Sequence, residues 1–381
     1  MTKIETQFLG FTLRSPLIAS SGPMTRDFNS IKRLETAGIG AVITKTILLN
    51  PSINPQPCLY RRNGYFLNTE RCSTLTFRQW QDEELPRLSQ LDIPVIASIG
   101  MTPEDVEELA EPVVKAGADM LELSIFTSYD DPTPMIEAIR RVKKTVDVPV
   151  SVKLSHNVYD TVEFGKAIRE AGADAISAID AVKAGLHLNL RTGCPGLLEQ
   201  GFGRISGEAI KPLALYDVAQ LAHYVKLPII GTGGIMSGID ALEMISCGAA
   251  AVGICTAIIV KGAEIISKIN KQIIQFMQDQ GLSSLGELYG QTLSQIDFPK
   301  SIGERREYEK RPVKPLNKVA FIDQGVCTRC ELCQRICPYG AVEEHKEHFS
   351  IYSSICEGCG LCISMCPVEA ISYHKRIGEG E

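Results

Sequence analysis

The sequence has no segment typical of a membrane-spanning or exported protein. The longest apolar stretch among its 381 residues, residues 245–260, is too short to cross a bilayer and is broken by Ser246, Gly248 and Gly253. Residues 1–10 mix polar and apolar side chains and lack the charged-then-apolar pattern of a signal peptide. We therefore expect a cytoplasmic protein with no membrane partner.

The chain also lacks an excess of basic charge and a dinucleotide-binding motif. Its formal net charge is -6, whereas a nucleic-acid-binding protein is normally basic over its binding face, so we expect no nucleic-acid partner. The nearest match to G-x-G-x-x-G begins at Gly201-Phe202-Gly203 and has Ser206 in place of the third glycine. The sequence thus predicts no dinucleotide site on this chain.

Cysteine, by contrast, is abundant and concentrated near the end of the chain. Eight of the 13 cysteines form two C-x2-C-x2-C-x3-C runs, each followed by proline, and the second run repeats the first at an offset of 29 residues, from Cys327 to Cys356. In two-cluster bacterial ferredoxins with this spacing, the fourth cysteine of each run ligates the other 4Fe–4S cluster. We therefore predict two clusters with these ligand sets: Cys327, Cys330, Cys333 and Cys366; and Cys337, Cys356, Cys359 and Cys362.

Structural zinc is the alternative interpretation of these cysteines. Zinc sites usually pair two C-x2-C knuckles across a longer gap, whereas here a third cysteine follows each knuckle at the same spacing and then C-P. The pattern therefore favours iron–sulfur clusters. Residues 299–318 are charged, poor in apolar side chains and contain Pro312 and Pro315, which is typical of a linker between domains.

Residues 1–298 alternate short apolar runs with amphipathic stretches that predict helices. Eight parallel-type strands in this length indicate a (β/α)8 TIM barrel, an α/β fold, and we expect a small α+β bacterial-ferredoxin-like domain at residues 319–381. The predicted strands are residues 16–20, 41–45, 94–98, 120–124, 149–153, 174–178, 228–232 and 250–254. Examples of the predicted helices are residues 103–116, 134–146, 162–171 and 210–225.

The predicted strand ends carry residues suited to a phosphate-bearing ligand. Strand seven ends in Gly231-Thr232-Gly233-Gly234 and strand eight in Gly253-Ile254-Cys255-Thr256. Loops seven and eight are the usual phosphate site of this fold, and glycines let backbone N–H groups approach a phosphate; a glycine turn without ligand is the alternative. Lys45 and Lys153 end strands two and five, where they either stabilise the anionic side of a reduced flavin or are solvated charges. The loop at residues 48–80 is long enough to act as a lid.

Six segments resemble the flavin-binding segments of the dihydropyrimidine dehydrogenase family and, more broadly, of the dihydroorotate dehydrogenases, over nearly the whole chain. They are Ala19-Ser20-Ser21-Gly22, Thr44-Lys45-Thr46, Val152-Lys153-Leu154, Ile205-Ser206-Gly207, Gly233-Gly234-Ile235 and Cys255-Thr256-Ala257. The resemblance implies FMN. It implies contacts of Lys45 and Lys153 to the isoalloxazine and ribityl region, and it places Asn68 and Glu70 towards the substrate. The phosphate region would be held by Gly207, Gly233, Gly234 and Thr256, and the remaining cofactor-binding candidates are Ser20, Gly22, Thr44 and Cys255.

The sequence departs from the family on the substrate side. The family's fourth strand normally ends in Asn-x-Ser-Cys-Pro, whereas here Ser124 replaces the amide-binding Asn and Thr127 replaces the catalytic Cys. After strand six, the family's Asn-Thr pair becomes Asp180-Ala181. We interpret this pattern as a retained flavin site beside a changed substrate site, to which Ser124 and Asp180 contribute.

The residue that handles the proton is left open between Thr127 and Tyr129. An aliphatic hydroxyl is a poor acid or base but can relay a proton in a hydrogen-bonded chain, and a phenol is the stronger acid. A structural role in the loop is the alternative for each. His156 and His187 either face the pocket or are structural. Four arginines of the long loop either bind an anionic group of the substrate or form a solvated surface. They are Arg61, Arg62, Arg71 and Arg78. The sequence assigns no role to Cys58, Cys72 and Cys194.

Three functions compete. The first is an oxidoreductase that exchanges a hydride with a C–C bond adjacent to a carbonyl in a small unsaturated substrate and passes electrons through two clusters to ferredoxin or to a nicotinamide-dependent flavoprotein subunit. The second is an electron-transfer subunit whose FMN only relays electrons between proteins; a filled pocket would favour it and an open pocket would oppose it. The third, a redox or oxygen sensor, needs no complete barrel. We favour the enzyme, and related flavin barrels suggest a homo-oligomer.

Overall fold

The computed structural model describes residues 3–191, 194–195, 201–299, 317–346 and 348–376, without the side chains of 194 and 195. The chain divides into two compact units, Met1–Phe298 and Pro299–Glu381. Most of the linker predicted at residues 299–318 lies outside the described residues. None of the helices described is both long enough and apolar enough to cross a membrane.

The first unit alternates strands and helices. Its strands are β1 (Thr6–Phe8), β2 (Phe11–Leu13), β3 (Leu17–Ala19), β4 (Ala41–Ile43), β5 (Leu59–Arg62), β6 (Tyr65–Asn68), β7 (Val95–Ile99), β8 (Met120–Leu123), β9 (Val150–Leu154), β10 (Ala175–Ala178), β11 (Val182–Leu186), β12 (Leu188–Asn189), β13 (Cys194–Pro195), β14 (Phe202–Ser206), β15 (Ile229–Thr232) and β16 (Ala251–Ile254). Its helices are α1 (Phe28–Thr36), α2 (Phe77–Gln79), α3 (Leu85–Leu88), α4 (Pro103–Lys115), α5 (Thr133–Val142), α6 (Thr161–Ala171), α7 (Lys211–Tyr224), α8 (Gly238–Ser246), α9 (Thr256–Lys261) and α10 (Glu264–Asp279).

Eight strands close into a barrel in the order β3-β4-β7-β8-β9-β10-β15-β16, and all of the neighbouring pairs are parallel. Each of them lies within, or overlaps by all but one residue, a strand predicted from the sequence. Their apolar runs are buried almost throughout, as expected for strands covered by helices on one side and by the barrel interior on the other. The predicted (β/α)8 barrel is confirmed.

Several helices begin at polar caps that are visible in the sequence. Thr102 accepts a hydrogen bond from Asp105 N before α4, Asp160 caps α6 and Ser237 caps α8. One predicted helix is shorter than expected, since α5 ends at Val142 instead of residue 146. There Thr145 Oγ1 donates to the Val142 carbonyl at 2.9 Å, and this side-chain bond favours a turn over another helical residue.

The long loop at residues 48–80 contains two strands. β5 and β6 pair antiparallel, and β6 also pairs with β14, which pairs with β11. β5 and β6 belong to the loop after the second barrel strand, and β11 and β14 belong to the loop after the sixth. This cap sheet therefore joins two loops at the carboxyl end of the barrel, where the chemistry of the fold is expected.

In residues 317–346 and 348–376, the second unit has two small antiparallel sheets and two short helices. β17 (Lys318–Ile322) pairs with β20 (Ile371–Lys375), and β18 (Val342–Glu344) pairs with β19 (Phe349–Ile351). The helices α11 (Leu332–Ile336) and α12 (Leu361–Met365) each follow a cysteine loop. The small apolar core includes Val319, Ile322, Val342, Phe349 and Ile371, against which several cysteines pack.

Candidate active site

Two adjoining cavities open at the carboxyl end of the barrel. We call the first, of about 770 Å³, the inner cavity; it is lined by strand ends and by Gly207, Gly233, Gly234 and Gly253. We call the second, of about 1730 Å³, the outer cavity; its lining includes Lys45, Glu70, Arg71, Cys72 and Ser124. Six residues line both cavities, so that the two spaces are continuous: Ser21, Asn68, Lys153, Asp180, Ala181 and Cys255.

Glycines form one wall of the inner cavity, and a side chain does not fit at Gly233 or Gly234. Gly207, Gly233 and Gly234 have positive φ angles of 79°, 128° and 76°. A Cβ on Gly234 would lie 2.5 Å from Lys211 Cβ and 2.8 Å from the Lys211 backbone. Next to Gly207, Thr256 begins α9, and its hydroxyl lies 2.9 Å from Ser206 Oγ. Backbone N–H groups and hydroxyls at such a wall can surround a phosphate.

A buried ion pair forms the floor of the inner cavity. Lys153 Nζ lies 3.1 Å from Glu122 Oε1, and the Glu122 side chain is fully buried. Burial by itself lowers the pKa of Lys153, but the charges of Glu122 and Asp180 outweigh it and hold this pKa above its usual value. Lys153 is therefore a fixed cation that faces both cavities.

Several buried polar atoms around the inner cavity lack hydrogen-bond partners within the described part of the chain. They are Ser20 Oγ, Ser177 Oγ and Glu122 Oε2, the carboxylate oxygen that does not face Lys153. Buried polar groups in folded proteins are almost always hydrogen-bonded to protein, solvent or ligand. These atoms are therefore available to hydrogen-bond a polar ligand in the inner cavity.

The outer cavity is predominantly basic. Among the residues that the structure describes, its lining carries five basic side chains, Lys45, Arg71, Lys153, Lys183 and Arg204, and two acidic ones, Glu70 and Asp180. Lys45 Nζ lies 2.5 Å from Glu70 Oε2, and both side chains are at most 10% exposed. Arg204 Nη1 lies 3.0 Å from Asp180 Oδ2. Arg71 and Lys183 have no acidic partner among the described residues, so this cavity favours an anionic ligand.

The predicted site residues separate into those that line the cavities and those that do not. Ser20, Gly207, Gly233, Gly234 and Thr256 line the inner cavity, and Gly22, Lys45, Glu70 and Ser124 line the outer one, with Asn68, Lys153, Asp180 and Cys255 shared. Thr44 is fully buried and lines neither cavity; its hydroxyl accepts a hydrogen bond from Ser98 N at 3.1 Å.

Thr127 and Tyr129 line neither cavity. Tyr129 is 55% exposed, and its ring packs edge-on against Tyr159, at 5.8 Å between centroids. The Phe126 amide donates to the Met101 carbonyl at 2.9 Å, and the Tyr159 amide donates to the Tyr129 carbonyl at 2.6 Å. These two backbone hydrogen bonds join the loop after β8 to the loops that follow β7 and β9.

The histidines and most of the loop arginines also lie away from the cavities. His156 Nδ1 lies 2.6 Å from Asp217 Oδ2, and this hydrogen bond raises the pKa of His156. His187 stacks on Tyr60 at 4.7 Å. Of the four arginines, Arg71 lines the outer cavity, which agrees with the anion-binding interpretation for that residue alone.

Sequence reasoning missed Glu122, Ser177 and Cys72 as cavity residues. Glu122 and Ser177 sit inside apolar strands, and a polar residue on a barrel strand with both neighbours buried is the signal that identifies them. Cys72 lies in an irregular part of the long loop, and no local pattern in the sequence places it.

The eight tail cysteines surround two further cavities in the second unit. One, of about 330 Å³, is lined by Cys327, Cys330, Cys333 and Cys366. The other, of about 370 Å³, is lined by Cys337, Cys356, Cys359 and Cys362. Within the described residues no three or more His, Cys, Asp and Glu side chains are grouped closely enough for a single metal ion. Burial, together with the neighbouring thiols, raises the pKa of Cys362 to about 11. A thiol that coordinates a metal ion loses its proton, so binding of a metal would oppose this shift.

The two cysteine loops share their backbone geometry but not their residues. Arg329 and Glu331 have positive φ angles in the first loop, where Gly358 and Gly360 have them in the second. After the fourth cysteine of each run, a backbone amide donates to that sulfur at 3.3 Å, from Ala341 to Cys337 and from Ala370 to Cys366. Such N–H···S bonds help to set the reduction potential of a cluster.

Comparison with known proteins gives two family matches. The family model for dihydroorotate dehydrogenase matches residues 3–277, and that for a 4Fe-4S dicluster domain matches residues 320–373. The dihydroorotate dehydrogenase B (NAD(+)) catalytic subunit of Methanothermobacter thermautotrophicus is 34% identical over 301 residues, which covers 75% of this chain and 97% of that protein.

Similar values apply to two other proteins of that name. The one from Pyrococcus horikoshii is 32% identical over 301 residues, covering 76% of this chain and 98% of its own length. The one from Geobacillus kaustophilus is 32% identical over 304 residues, covering 77% and 96%. In all three comparisons, about three quarters of this chain aligns with nearly the full length of the relative.

Proposed function

The chain belongs to the dihydroorotate dehydrogenase family, and we propose that it exchanges a hydride with the C–C bond next to a carbonyl in a small unsaturated anion. At the coarser level it is an FMN- and iron–sulfur-dependent oxidoreductase that acts on CH–CH groups, with a barrel followed by a 4Fe–4S ferredoxin-like domain. The finer assignment rests on one observation, the open and basic outer cavity beside the inner one.

The inner cavity fits FMN. Its glycine wall has no room for a Cβ at Gly234, and its buried hydroxyls of Ser20 and Ser177 lack partners within the described residues. Gly207, Gly233, Gly234 and Thr256 would hold the phosphate. The other residues proposed to hold the cofactor are Ser20, Gly22, Thr44, Lys45, Lys153 and Cys255. Bound FMN supplies the exchange of two electrons as a hydride with the substrate and of single electrons with the clusters.

Residues of the outer cavity would bind and orient the substrate. Arg71 and Lys183, which have no acidic partner among the described residues, would attract its anionic group. Asn68, Glu70, Ser124 and Asp180 would contact its carbonyl and neighbouring polar atoms. Because Ser124 stands where the family has an amide-binding Asn, we propose that the substrate is not a pyrimidine.

The tail would hold two 4Fe–4S clusters in the cross-paired arrangement, with Cys366 completing the first set and Cys337 the second. The support is that each of the two cysteine-lined cavities brings together three cysteines of one run and the fourth of the other. We propose that electrons are exchanged with ferredoxin or with a nicotinamide-dependent flavoprotein subunit; the relatives are named as the catalytic subunit of an NAD(+)-dependent enzyme. We also propose that the chain forms a homo-oligomer.

The alternative of an FMN that only relays electrons between proteins is disfavoured. That function needs no substrate pocket, and side chains would be expected to fill it. Instead the outer cavity is open and carries cationic side chains. This observation supports a substrate site.

An anaerobic titration tests the proposed function. The purified protein is fully reduced and then mixed with uracil, orotate and a panel of other unsaturated carboxylates, while the flavin absorbance is followed. We expect reoxidation by a member of the panel other than uracil and orotate. Reoxidation by protein electron carriers alone would overturn the proposal in favour of the relay, and reoxidation by uracil or orotate would restore a pyrimidine substrate.

A pair of arginine variants tests the anionic group. Arg71→Gln should raise KM for the active acceptor about tenfold, equivalent to about 1.4 kcal/mol, because it removes a cation from the outer cavity. Arg78→Gln is the matched control, since Arg78 pairs with Asp82 at 3.1 Å and lines neither cavity. An equal KM in both variants would contradict the role of Arg71.

A further inference from the structure

Cys72 is the thiol of the outer cavity that no other role explains. It follows β6 in the long loop and lines the outer cavity together with Lys45, Ser124, Lys153 and Asp180. These neighbours are the residues proposed above to contact the cofactor and the substrate. Thr127, which stands where the family has its catalytic cysteine, lines neither cavity.

The backbone next to Cys72 is held firmly. Ser73 is 1% exposed, and its amide donates to the Thr46 carbonyl at 2.9 Å. Its carbonyl accepts from Ser52 N at 2.7 Å, and its hydroxyl accepts from Trp80 Nε1 at 2.7 Å. Trp80 itself is fully buried in the barrel core. The backbone position of Cys72 is therefore fixed by its neighbour. A residue that transfers a proton to a reacting carbon needs such a fixed position.

The surroundings of the thiol keep it protonated. Burial raises the pKa of Cys72, and Asp180 adds to this, although the cations Lys45, Lys153 and Arg204 act in the opposite direction. Its nearest side-chain partner is the Met101 thioether, with Sγ and Sδ 3.7 Å apart. A thioether is a weak acceptor, so the thiol proton remains available for transfer.

We propose that Cys72 is the catalytic acid–base residue of this enzyme. It would take the role that the family gives to a cysteine at the position of Thr127, in the loop after the fourth barrel strand. This inference rests on the proposed function. In the direction of reduction, the C=C π bond breaks, one carbon gains a hydride from reduced FMN and its neighbour gains the proton of Cys72 Sγ. The resulting thiolate regains a proton from solvent. In the reverse direction, the thiolate removes the proton while the hydride returns.

The test compares Cys72→Ala with Cys58→Ala in the cofactor-loaded protein. Cys58 is also a half-buried thiol of the long loop, but it lines neither cavity. Reduced enzyme is mixed with the acceptor that reoxidises the wild type fastest in the titration above. We expect Cys72→Ala to be at least ~100-fold slower, within the range for loss of a general acid, and Cys58→Ala to be within about threefold of wild type. Reoxidation by ferricyanide, which needs no proton donor, should be unchanged in both.

The pH profile and a chemical label give further readouts. The wild-type reoxidation rate should fall as pH rises through the pKa of the Cys72 thiol, and this limb should be lost in Cys72→Ser, since a serine hydroxyl does not ionise in that range. Independently of turnover, iodoacetamide should alkylate Cys72 in the oxidised protein, with protection by the bound acceptor, as measured by peptide mass spectrometry.

The outcomes separate the two proposals. Wild-type turnover with an equally fast Cys72→Ala would overturn the role of Cys72 and leave the proposed function standing. A comparable loss in Thr127→Val together with a normal Cys72→Ala would return the role to the loop after β8. If no unsaturated acceptor reoxidises the wild type, the proposed function falls, and this inference falls with it.

Discussion

The inner and outer cavities adjoin, yet they are built from different parts of the chain. The inner cavity is bounded by barrel strand ends and four glycines, so that main-chain atoms form much of its surface. The outer cavity is bounded by side chains of the long loop and of the cap sheet as well as by barrel strand ends, and seven of its described lining residues are charged. A binding site formed by main-chain atoms and glycines tolerates few substitutions. A site formed by loop side chains can change its substrate specificity through substitutions while the fold is kept.

The largest expected effect comes from breaking the ion pair at the floor of the inner cavity. Lys153→Met leaves the fully buried Glu122 carboxylate without its cation, 3.1 Å away in the wild type. An uncompensated buried charge of this kind costs about 3–5 kcal/mol. We expect that loss in the free energy of unfolding, measured by urea titration.

The double variant Glu122→Gln with Lys153→Met is the control. It removes both charges and should recover most of the lost stability, since the penalty arises from the unpaired charge. If Lys153→Met alone lost less than about 1 kcal/mol, the pair would behave like a surface ion pair, and the contrast between the two cavities would be wrong.

Filling the glycine wall is the next largest perturbation. In Gly234→Ala the new methyl group meets the Lys211 backbone at 2.8 Å, and Lys211 is held by ion pairs to Asp240 at 2.5 Å and Glu243 at 2.7 Å. The wall must therefore shift, and we expect FMN affinity to fall about 100-fold, equivalent to about 2.7 kcal/mol. Flavin absorbance per chain and a fluorescence titration measure this loss.

Gly64→Ala is the matched control for the glycine wall. Gly64 also has a positive φ, 86°, but nothing lies within 4 Å of a Cβ at that position. It should show only the backbone cost of about 1 kcal/mol in stability and retain FMN. An equal loss of flavin in both variants would mean that backbone strain, and not the shape of the inner cavity, controls binding.

The features that could be predicted from the sequence are those determined by residues close together in the chain. The apolar runs predicted all eight barrel strands, and the glycines at the ends of β15 and β16 pointed to the inner cavity. The spacing of the tail cysteines predicted two sets of four, and each set lines one cavity of the second unit. In each case the determining residues are close in sequence or repeat at a constant offset.

The remainder depends on contacts that no local pattern contains. Glu122 meets Lys153 because β8 and β9 are neighbours in the barrel. Thr127 is directed along the rim by the hydrogen bond from Phe126 N to the Met101 carbonyl. Cys72 reaches the outer cavity because the side chain of Trp80, eight residues later, anchors Ser73. These placements require the closed barrel, so the outer cavity was the harder one to predict.

Thiol reactivity tests the burial of Cys255, which lines both cavities. Burial raises the pKa of Cys255 to about 11, although Lys153 and Lys45 act against it. An ordinary thiol has a pKa near ~8.5, so at pH 8 the thiolate fraction of Cys255 is on the order of 100-fold smaller. Iodoacetamide at pH 8 should therefore modify Cys255 much more slowly in the folded protein than after unfolding in urea, as followed by peptide mass spectrometry. Equal rates in the folded and unfolded protein would contradict the burial of this thiol.

The smallest effect is expected at the rim of the outer cavity. Arg204 and Asp180 lie 3.0 Å apart, but their side chains are 55% and 32% exposed, so solvent and salt screen their attraction. Arg204→Gln should lower the free energy of unfolding by about 0.5 kcal/mol, the usual range for exposed pairs, and added salt should reduce even this loss. Urea unfolding at low and high ionic strength measures it. A loss comparable to that of Lys153→Met would mean that the outer cavity is as tightly integrated into the barrel as the inner one, and its side chains would then not be free to change with the substrate.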